Sequence, residues 1–126
     1  MLTKRILVID DEELIQEVIQ GSLEDVGGWE VLLARSGREG LLIAASQRLD
    51  AILLDVSMPE MDGVETLQKL RSQPDTQAIP VIFLTAKVQP ADKAHFSQLG
   101  VTGTIAKPFD PMTLTAEIAE IMDWQL

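Results

Sequence analysis

Five polar side chains stand at the ends of short apolar runs. Ile6-Leu7-Val8-Ile9 leads into Asp10 and Asp11. Ala51-Ile52-Leu53-Leu54 leads into Asp55, Val81-Ile82-Phe83-Leu84 into Thr85, and Val101 to Ala106 into Lys107. Three carboxylates brought together repel one another and favour a hard divalent cation with oxygen ligands. Mg²⁺ suits such a set, because it takes one or two carboxylates, keeps several waters and shares itself with a phosphate. A carboxylate is also a nucleophile toward phosphorus and yields an aspartyl phosphate. The transferring group needs its equatorial oxygens neutralised, which Mg²⁺ and one lysine can do together. A threonine hydroxyl can then donate a hydrogen bond to the attached group. Singly, each residue has a plainer role. Asp10-Asp11 can cap a helix, Asp55 can turn a chain, and Lys107 before Pro108 can be a solvated loop cation. Only their joint occurrence points to chemistry.

The apolar runs read as buried strands, being short, continuous and rich in β-branched residues. Helical spacing fills the gaps between them. Leu14, Ile15, Val18, Ile19, Ser22, Leu23 and Val26 recur every three or four residues after an acidic first turn of Asp11, Glu12 and Glu13, and Gly27-Gly28 stops them. Val31 to Ala34 is a second strand. Ser36 and Glu39 have the spacing of a capping box before a helix through Leu41, Leu42 and Ala45. Val64, Leu67 and Leu70 define a third helix, which ends before Pro74. A fourth, from about Pro90 to Leu99, has a thin apolar face, and Gly100 ends it. Asp110-Pro111 reads as a cap and first helical residue for a fifth, carried by Leu114, Ile118 and Ile121. The order is strand then helix, five times. Strands apolar on both faces need cover on both faces, so the sheet is expected to be parallel and sandwiched by helices. In such sheets, sites lie beyond the carboxyl ends of the strands, where the strand order reverses. The five polar residues stand at those ends. The second strand ends in Ala34-Arg35 and offers no comparable group.

Composition bounds the rest. The 126 residues predict one domain, 1–126, and 46% apolar content excludes a disordered chain. Ten basic against twenty acidic residues give a net charge of −10, with the basic ones scattered, so nucleic acid is not an expected partner. No cysteine means no disulfide framework or thiolate metal site, and the single His95 excludes paired-histidine zinc. His95 reads as solvated, and Trp29 and Trp124 read as packing residues. No apolar run is long enough to span a membrane, and the opening residues do not form a signal peptide, so a cytoplasmic location is expected.

Val8-Ile9-Asp10-Asp11-Glu12, Leu54-Asp55-Val56-Ser57-Met58-Pro59-Glu60-Met61-Asp62-Gly63, Leu84-Thr85-Ala86 and Lys107-Pro108-Phe109 follow in order. The chain thereby resembles, over essentially its whole length, the receiver domain of two-component response regulators, in the single-domain form of the chemotaxis regulator. The resemblance implies a flavodoxin-like (βα)5 fold, a doubly wound parallel five-stranded sheet of order 2-1-3-4-5. It implies that Asp55 accepts a phosphoryl group from a sensor histidine kinase or phosphotransfer protein. It implies Mg²⁺ held by Asp11, Asp55 and the Ser57 backbone carbonyl, with Asp10 acting through water. Lys107 pairs with Asp55 and then with the phosphoryl oxygens, and Thr85 moves to bond the phosphoryl group. Family members usually hold the peptide corresponding to Lys107–Pro108 in cis. The domain is then not a conventional enzyme, since it catalyses only its own phosphorylation and slow dephosphorylation. A downstream protein partner binds about Ala91–Met122, and the domain is a monomer or a phosphorylation-dependent dimer.

Two features depart from the family or tune it. Three positions before Lys107, receivers commonly carry an aromatic residue that swings inward when the threonine moves. Here Thr104 stands there, so the signal is expected to run through the loop after strand four and the thin fourth helix. Ser57 and Lys87 flank the acceptor and bear on how long the phosphoryl group lasts. The alternative reading is a constitutive interaction module that never uses the site. A phosphohydrolase with an aspartate nucleophile carries Asp-x-Asp, and Asp55-Val56-Ser57 lacks the second acid. A flavin carrier needs a phosphate loop where Asp10-Asp11-Glu12-Glu13 would repel the phosphate.

Overall fold

The computed structural model describes residues 3–126. Five strands alternate with five helices: β1 Arg5–Ile9, α1 Glu13–Asp25, β2 Glu30–Ala34, α2 Gly37–Ser46, β3 Ala51–Asp55, α3 Gly63–Arg71, β4 Val81–Thr85, α4 Pro90–Gln98, β5 Gly103–Ala106 and α5 Leu114–Met122. The strands form one parallel sheet in the order β2-β1-β3-β4-β5. The flavodoxin-like expectation holds in both order and direction.

The pleat divides the apolar runs between two cores. Ile6 and Val8 of β1 join Ile19 and Leu23 of α1 and Leu114 and Ile118 of α5 on one face. Leu7 and Ile9 join Ala44 of α2, Leu67 and Leu70 of α3 and Phe96 of α4 on the other. Trp29 and Trp124 meet edge to face at 5.4 Å, at the end of the sheet where the strands begin, with Lys4 Nζ 4.7 Å above the Trp124 ring. They are packing residues, as read. His95 is exposed.

Several local expectations are corrected. The buried stripe of α1 is Gln16, Ile19, Ser22 and Leu23, whereas Leu14, Val18 and Val26 face solvent. Two polar residues enter the stripe because each finds a partner. Gln16 Nε2 donates to the Ala34 carbonyl, and Ser22 Oγ donates to the Pro111 carbonyl. In α2 the inward residues are Gly37, Gly40 and Ala44, and Leu42 and Ala45 point outward. Glycine is needed at Gly40 because a Cβ there would run into the Ile9 side chain, so the helix lies close on the sheet. Ser36 does cap α2, its side chain accepting from Glu39 N at 3.1 Å. Asp110 is not the N-cap of α5. Its carboxylate accepts from Met112 N at 2.9 Å and its carbonyl from Leu114 N at 3.0 Å, making a turn first, and the helix starts at Leu114. β5 begins at Gly103, two residues later than the apolar run.

The thin face of α4 is as expected: Phe96 is its one buried residue, set edge to face against Phe83 of β4 at 5.1 Å. Among the described residues, no helix is long and apolar enough to cross a membrane.

Candidate functional site

β1 and β3 are neighbours, so their carboxyl ends deliver Asp10, Asp11 and Asp55 to one place. One carboxylate oxygen from each lies within 4.8 Å of the others. Asp10 and Asp55 are buried, 0% and 3% exposed, and Asp11 is open to solvent. β5 lies beyond β4, and Lys107 reaches back from its end. Lys107 Nζ stands 3.1 Å from Asp10 Oδ2, 3.2 Å from Asp55 Oδ1 and 3.9 Å from Glu12 Oε1. The Lys107–Pro108 peptide is cis. Thr85 closes β4 one residue beyond the pairing of Asp55 with Leu84. Its carbonyl accepts from Lys107 N at 2.9 Å, so Thr85 and Lys107 are tied through the backbone. Its hydroxyl oxygen accepts from Lys87 N at 2.9 Å.

The electrostatics follow from these distances. Burial pushes the Asp55 carboxyl from its ordinary 3.8 up to about 6, and the Asp10 charge adds to the rise. Lys107 and the Ser57 backbone N–H pull the other way without overcoming it. Burial pulls the Lys107 ammonium down, but the Asp10 and Asp55 carboxylates outweigh it and hold it above its ordinary value. One ammonium thus serves two buried carboxylates. Asp10 Oδ1 accepts from Glu12 N at 2.9 Å. Asp10 Oδ2 is buried and faces Lys107 Nζ at 3.1 Å, the same ammonium that Asp55 uses. Two buried carboxylates on one ammonium leave negative charge unbalanced, which is costly. With the Asp11 carboxylate also within reach, this excess charge is what a divalent cation would satisfy, and the all-oxygen donor set suits Mg²⁺.

The loop after β3 shapes the floor. Gly63 N donates to Val56 O at 2.9 Å, and a Cβ on Gly63 would stand 2.6 Å from the Asp55 carbonyl oxygen and 2.7 Å from Val56 Cα. Only glycine allows α3 to start this close to the acceptor strand. Asp62 caps that helix, its side chain accepting from Glu65 N at 2.9 Å.

A family profile described as the response regulator receiver domain matches residues 6–119. The chain belongs to that family. Among curated proteins it is 38% identical over 121 residues to the alkaline phosphatase synthesis transcriptional regulatory protein PhoP of Bacillus subtilis (strain 168), covering 96% of this chain and 49% of PhoP. It is 35% identical to response regulator Rre1 of Synechocystis sp., over 93% of this chain and 51% of Rre1. The chain therefore spans about half the length of the curated relatives it matches. Among solved structures, the chemotaxis response regulator CheY4 of Vibrio cholerae superposes with a TM-score of 0.88 at 34% identity, covering 95% of this chain and 99% of that one. The receiver domain of the sensor histidine kinase PA1611 from Pseudomonas aeruginosa PAO1, solved with a magnesium ion coordinated in its active-site cleft, superposes with a TM-score of 0.83 at 30% identity, over 97% and 99%. This response regulator receiver domain thus shares its fold with a chemotaxis response regulator and with the receiver domain of a sensor histidine kinase.

All five side chains singled out from the receiver sequence lie at the carboxyl ends of the strands, and four of them, Asp10, Asp11, Asp55 and Lys107, form one cluster. Sequence reasoning missed three supporting residues. Gln16 shares the helical face of Ile19 and Leu23, and a polar residue in that register was the available signal. Gly63 reads as a turn residue beside Asp62, although what it permits is a close backbone approach. The Ala34 carbonyl, at the strand end that offered no side chain, accepts from both Asp10 N and Gln16 Nε2.

Proposed function

We propose that residues 1–126 form a single receiver domain that takes a phosphoryl group on Asp55 and uses it to switch a protein-binding surface. The observation that carries this reading is the meeting of three carboxylates with Lys107, two of them buried and sharing its one ammonium. In the proposed step an Asp55 oxygen attacks the phosphorus of a phosphohistidine. The phosphorus–nitrogen bond breaks, and its electron pair leaves with the imidazole. Lys107, already 3.2 Å from Asp55 Oδ1, is placed to neutralise a phosphoryl oxygen. Asp11 and Asp55 would hold Mg²⁺ with the Ser57 backbone carbonyl, and Asp10 would order its water. When bound, Mg²⁺ offsets the charge on the transferring oxygens. The domain acts on itself alone, so it is not a conventional enzyme.

The donor is a sensor histidine kinase or a phosphotransfer protein. Supporting a protein donor, an apolar groove of about 370 Å³ adjoins the site, lined by Ile15, Val18, Phe109 and Pro111 together with Lys107 and Glu12. Leu14 and Met112 are also exposed, at 76% and 78%. The downstream partner binds about Ala91–Met122, and the free domain is a monomer, or a dimer once phosphorylated. A net charge of −10 with scattered basic residues argues against nucleic-acid binding by this domain. A cytoplasmic location fits a donor of this kind.

The switch has a physical route despite Thr104. Thr85 Oγ1 is bonded to Lys87 N, so a Thr85 that turns toward a phosphoryl group must release or drag the loop leading to α4. That helix is anchored by Phe96 alone, which makes it the easiest element to move.

The test is intact mass after incubation with Mg²⁺ and acetyl phosphate. One added phosphoryl group is expected on the wild type, with none on Asp55→Asn and none without Mg²⁺. Beryllofluoride, which needs no lasting adduct, is the second probe, read by amide exchange around 86–98. Failure of both would leave a constitutive interaction module.

A further inference from the structure

Gln16 is 3% exposed on the buried face of α1, three residues before Ile19 and seven before Leu23. A primary amide in that position is costly unless it is bonded. Its Nε2 donates to the Ala34 carbonyl at 2.7 Å, joining the first helix to the end of β2. The same carbonyl accepts from Asp10 N at 3.1 Å. Two further bonds complete a ring. Glu12 N donates to Asp10 Oδ1 at 2.9 Å, and Gln16 N donates to Glu12 O at 3.1 Å. The ring runs Asp10, Glu12, Gln16, Ala34 and back to Asp10, and Asp11 lies on the stretch of chain it encloses.

The ring matters because it fixes the backbone from which both acids project. Asp11 is exposed, so packing does not set its direction. The Asp10 side chain is held by Glu12 N and Lys107, and the ring holds the main chain behind it. The Ala34 carbonyl already accepts from Asp10 N, and an apolar side chain of the same length would fill the space between helix and sheet. What the amide adds is a second bond on that carbonyl, which locks the backbone of Asp10 against the first turn of α1.

We propose that Gln16 is a positioning residue for the cation site, holding through the Ala34 carbonyl the backbone that aims Asp10 and Asp11. The inference rests on the reading of the acidic cluster as a Mg²⁺ site. Residues behind metal ligands commonly set affinity by about 10–100-fold when removed, because the ligands lose their orientation.

The full chain is titrated with Mn²⁺, a paramagnetic stand-in for Mg²⁺, and free ion is read by electron paramagnetic resonance. Gln16→Met keeps length and apolar contact but removes the donor. Its Kd is expected to be about 10-fold weaker or more than wild type. Its metal-free urea midpoint stays close to wild type, and the Asp10 and Glu12 amides exchange faster. A Gln16 that merely fills the core would do the reverse, lowering metal-free stability and leaving Kd alone. A Kd within twofold of wild type overturns the inference. If Gln16→Met does not unfold cooperatively, Gln16→Asn, whose amide is one methylene too short to reach Ala34, is judged by the same criterion. Absence of Mn²⁺ binding by the wild type removes the cation reading itself. Binding by the wild type that survives unchanged in the variants removes only the role of Gln16.

Discussion

Replacing Asp55 with Asn is expected to stabilise the metal-free domain. The carboxyl is pushed from 3.8 to about 6 in the fold, chiefly by burial and then by Asp10. Its folded value lies above its unfolded one, so its contribution to stability is complete below about pH 3.8. That contribution is lost as pH rises through about 6. At about 1.4 kcal/mol per pH unit, the gap costs the fold about 3 kcal/mol at pH 8 and roughly half that at pH 5. Asn resembles the neutral acid and escapes the cost, although its amide group must face Lys107. A gain of about 1–3 kcal/mol at pH 8 is expected, shrinking toward pH 5.

Urea denaturation in EDTA, followed by the fluorescence of Trp29 and Trp124, measures it across pH 5–8. Both indoles sit at the far end of the sheet, so the probe does not touch the site. Millimolar Mg²⁺ should then raise the wild type more than Asp55→Asn, because a ligand that binds only the folded state adds stability by mass action. The reasoning fails if Asp55→Asn is no more stable than wild type at pH 8 without divalent cation. It fails equally if the difference between the two proteins is the same at pH 5 as at pH 8.

Two further perturbations separate the floor of the site from its outlet. Gly63→Ala puts a methyl group 2.6 Å from the Asp55 carbonyl oxygen, against backbone that has nowhere to go, so a loss of about 1–3 kcal/mol in urea is expected together with slower phosphorylation by acetyl phosphate. A stability equal to wild type would mean that the β3–α3 turn yields more easily than the packing implies. Phe96→Ala removes the one buried side chain of α4 and its edge contact with Phe83. Amide exchange should rise across 90–98 well before the sheet is affected, with a global cost at or below the usual ~3–5 kcal/mol for a buried phenylalanine.

The central strands were legible because both their faces are buried, so apolar continuity marked them: every residue of β3 and β4 is buried, whereas the edge strand β5 is half-open and begins later than its apolar run. Their order needed more than periodicity, since a parallel sheet of five strands admits several windings, and the motifs at the strand ends supplied the choice. The helices were legible in place but not in facing. α2 turns Leu42 outward because Gly37 and Gly40 allow closer approach than leucine does, and a hydrophobicity pattern carries no information on separation. α1 turns Gln16 inward because a distant carbonyl, that of Ala34, awaits it. That partner lies 18 residues away along the chain and cannot be seen in a local window, whereas Ser22 stood in the expected stripe. The acid cluster was legible because its members close strands whose ends must meet, whereas the ring behind it, built on a backbone carbonyl, left no side-chain signature.

The site breaks the rules that the rest of the chain obeys. Elsewhere, buried polar groups such as Thr76, Thr115 and Gln16 each have a partner. At the strand ends two buried carboxylates share a single ammonium. Removing the local conflict would be simple in chemical terms, since an amide in place of either acid relieves it. A sequence consistent at every other level keeps such a conflict where function requires it. The unmet charge is also what gives an added cation or phosphoryl group leverage. A ligand shifts a conformational equilibrium only by the difference in its interaction with the two states. A site already satisfied would offer little difference, whereas this one offers a large one, beside Thr85 and the loop to α4. On the proposed function, the acidic cluster and the loose anchoring of α4 would be two ends of one device: the first would supply the free-energy change, and the second would keep the movement it drives small in cost.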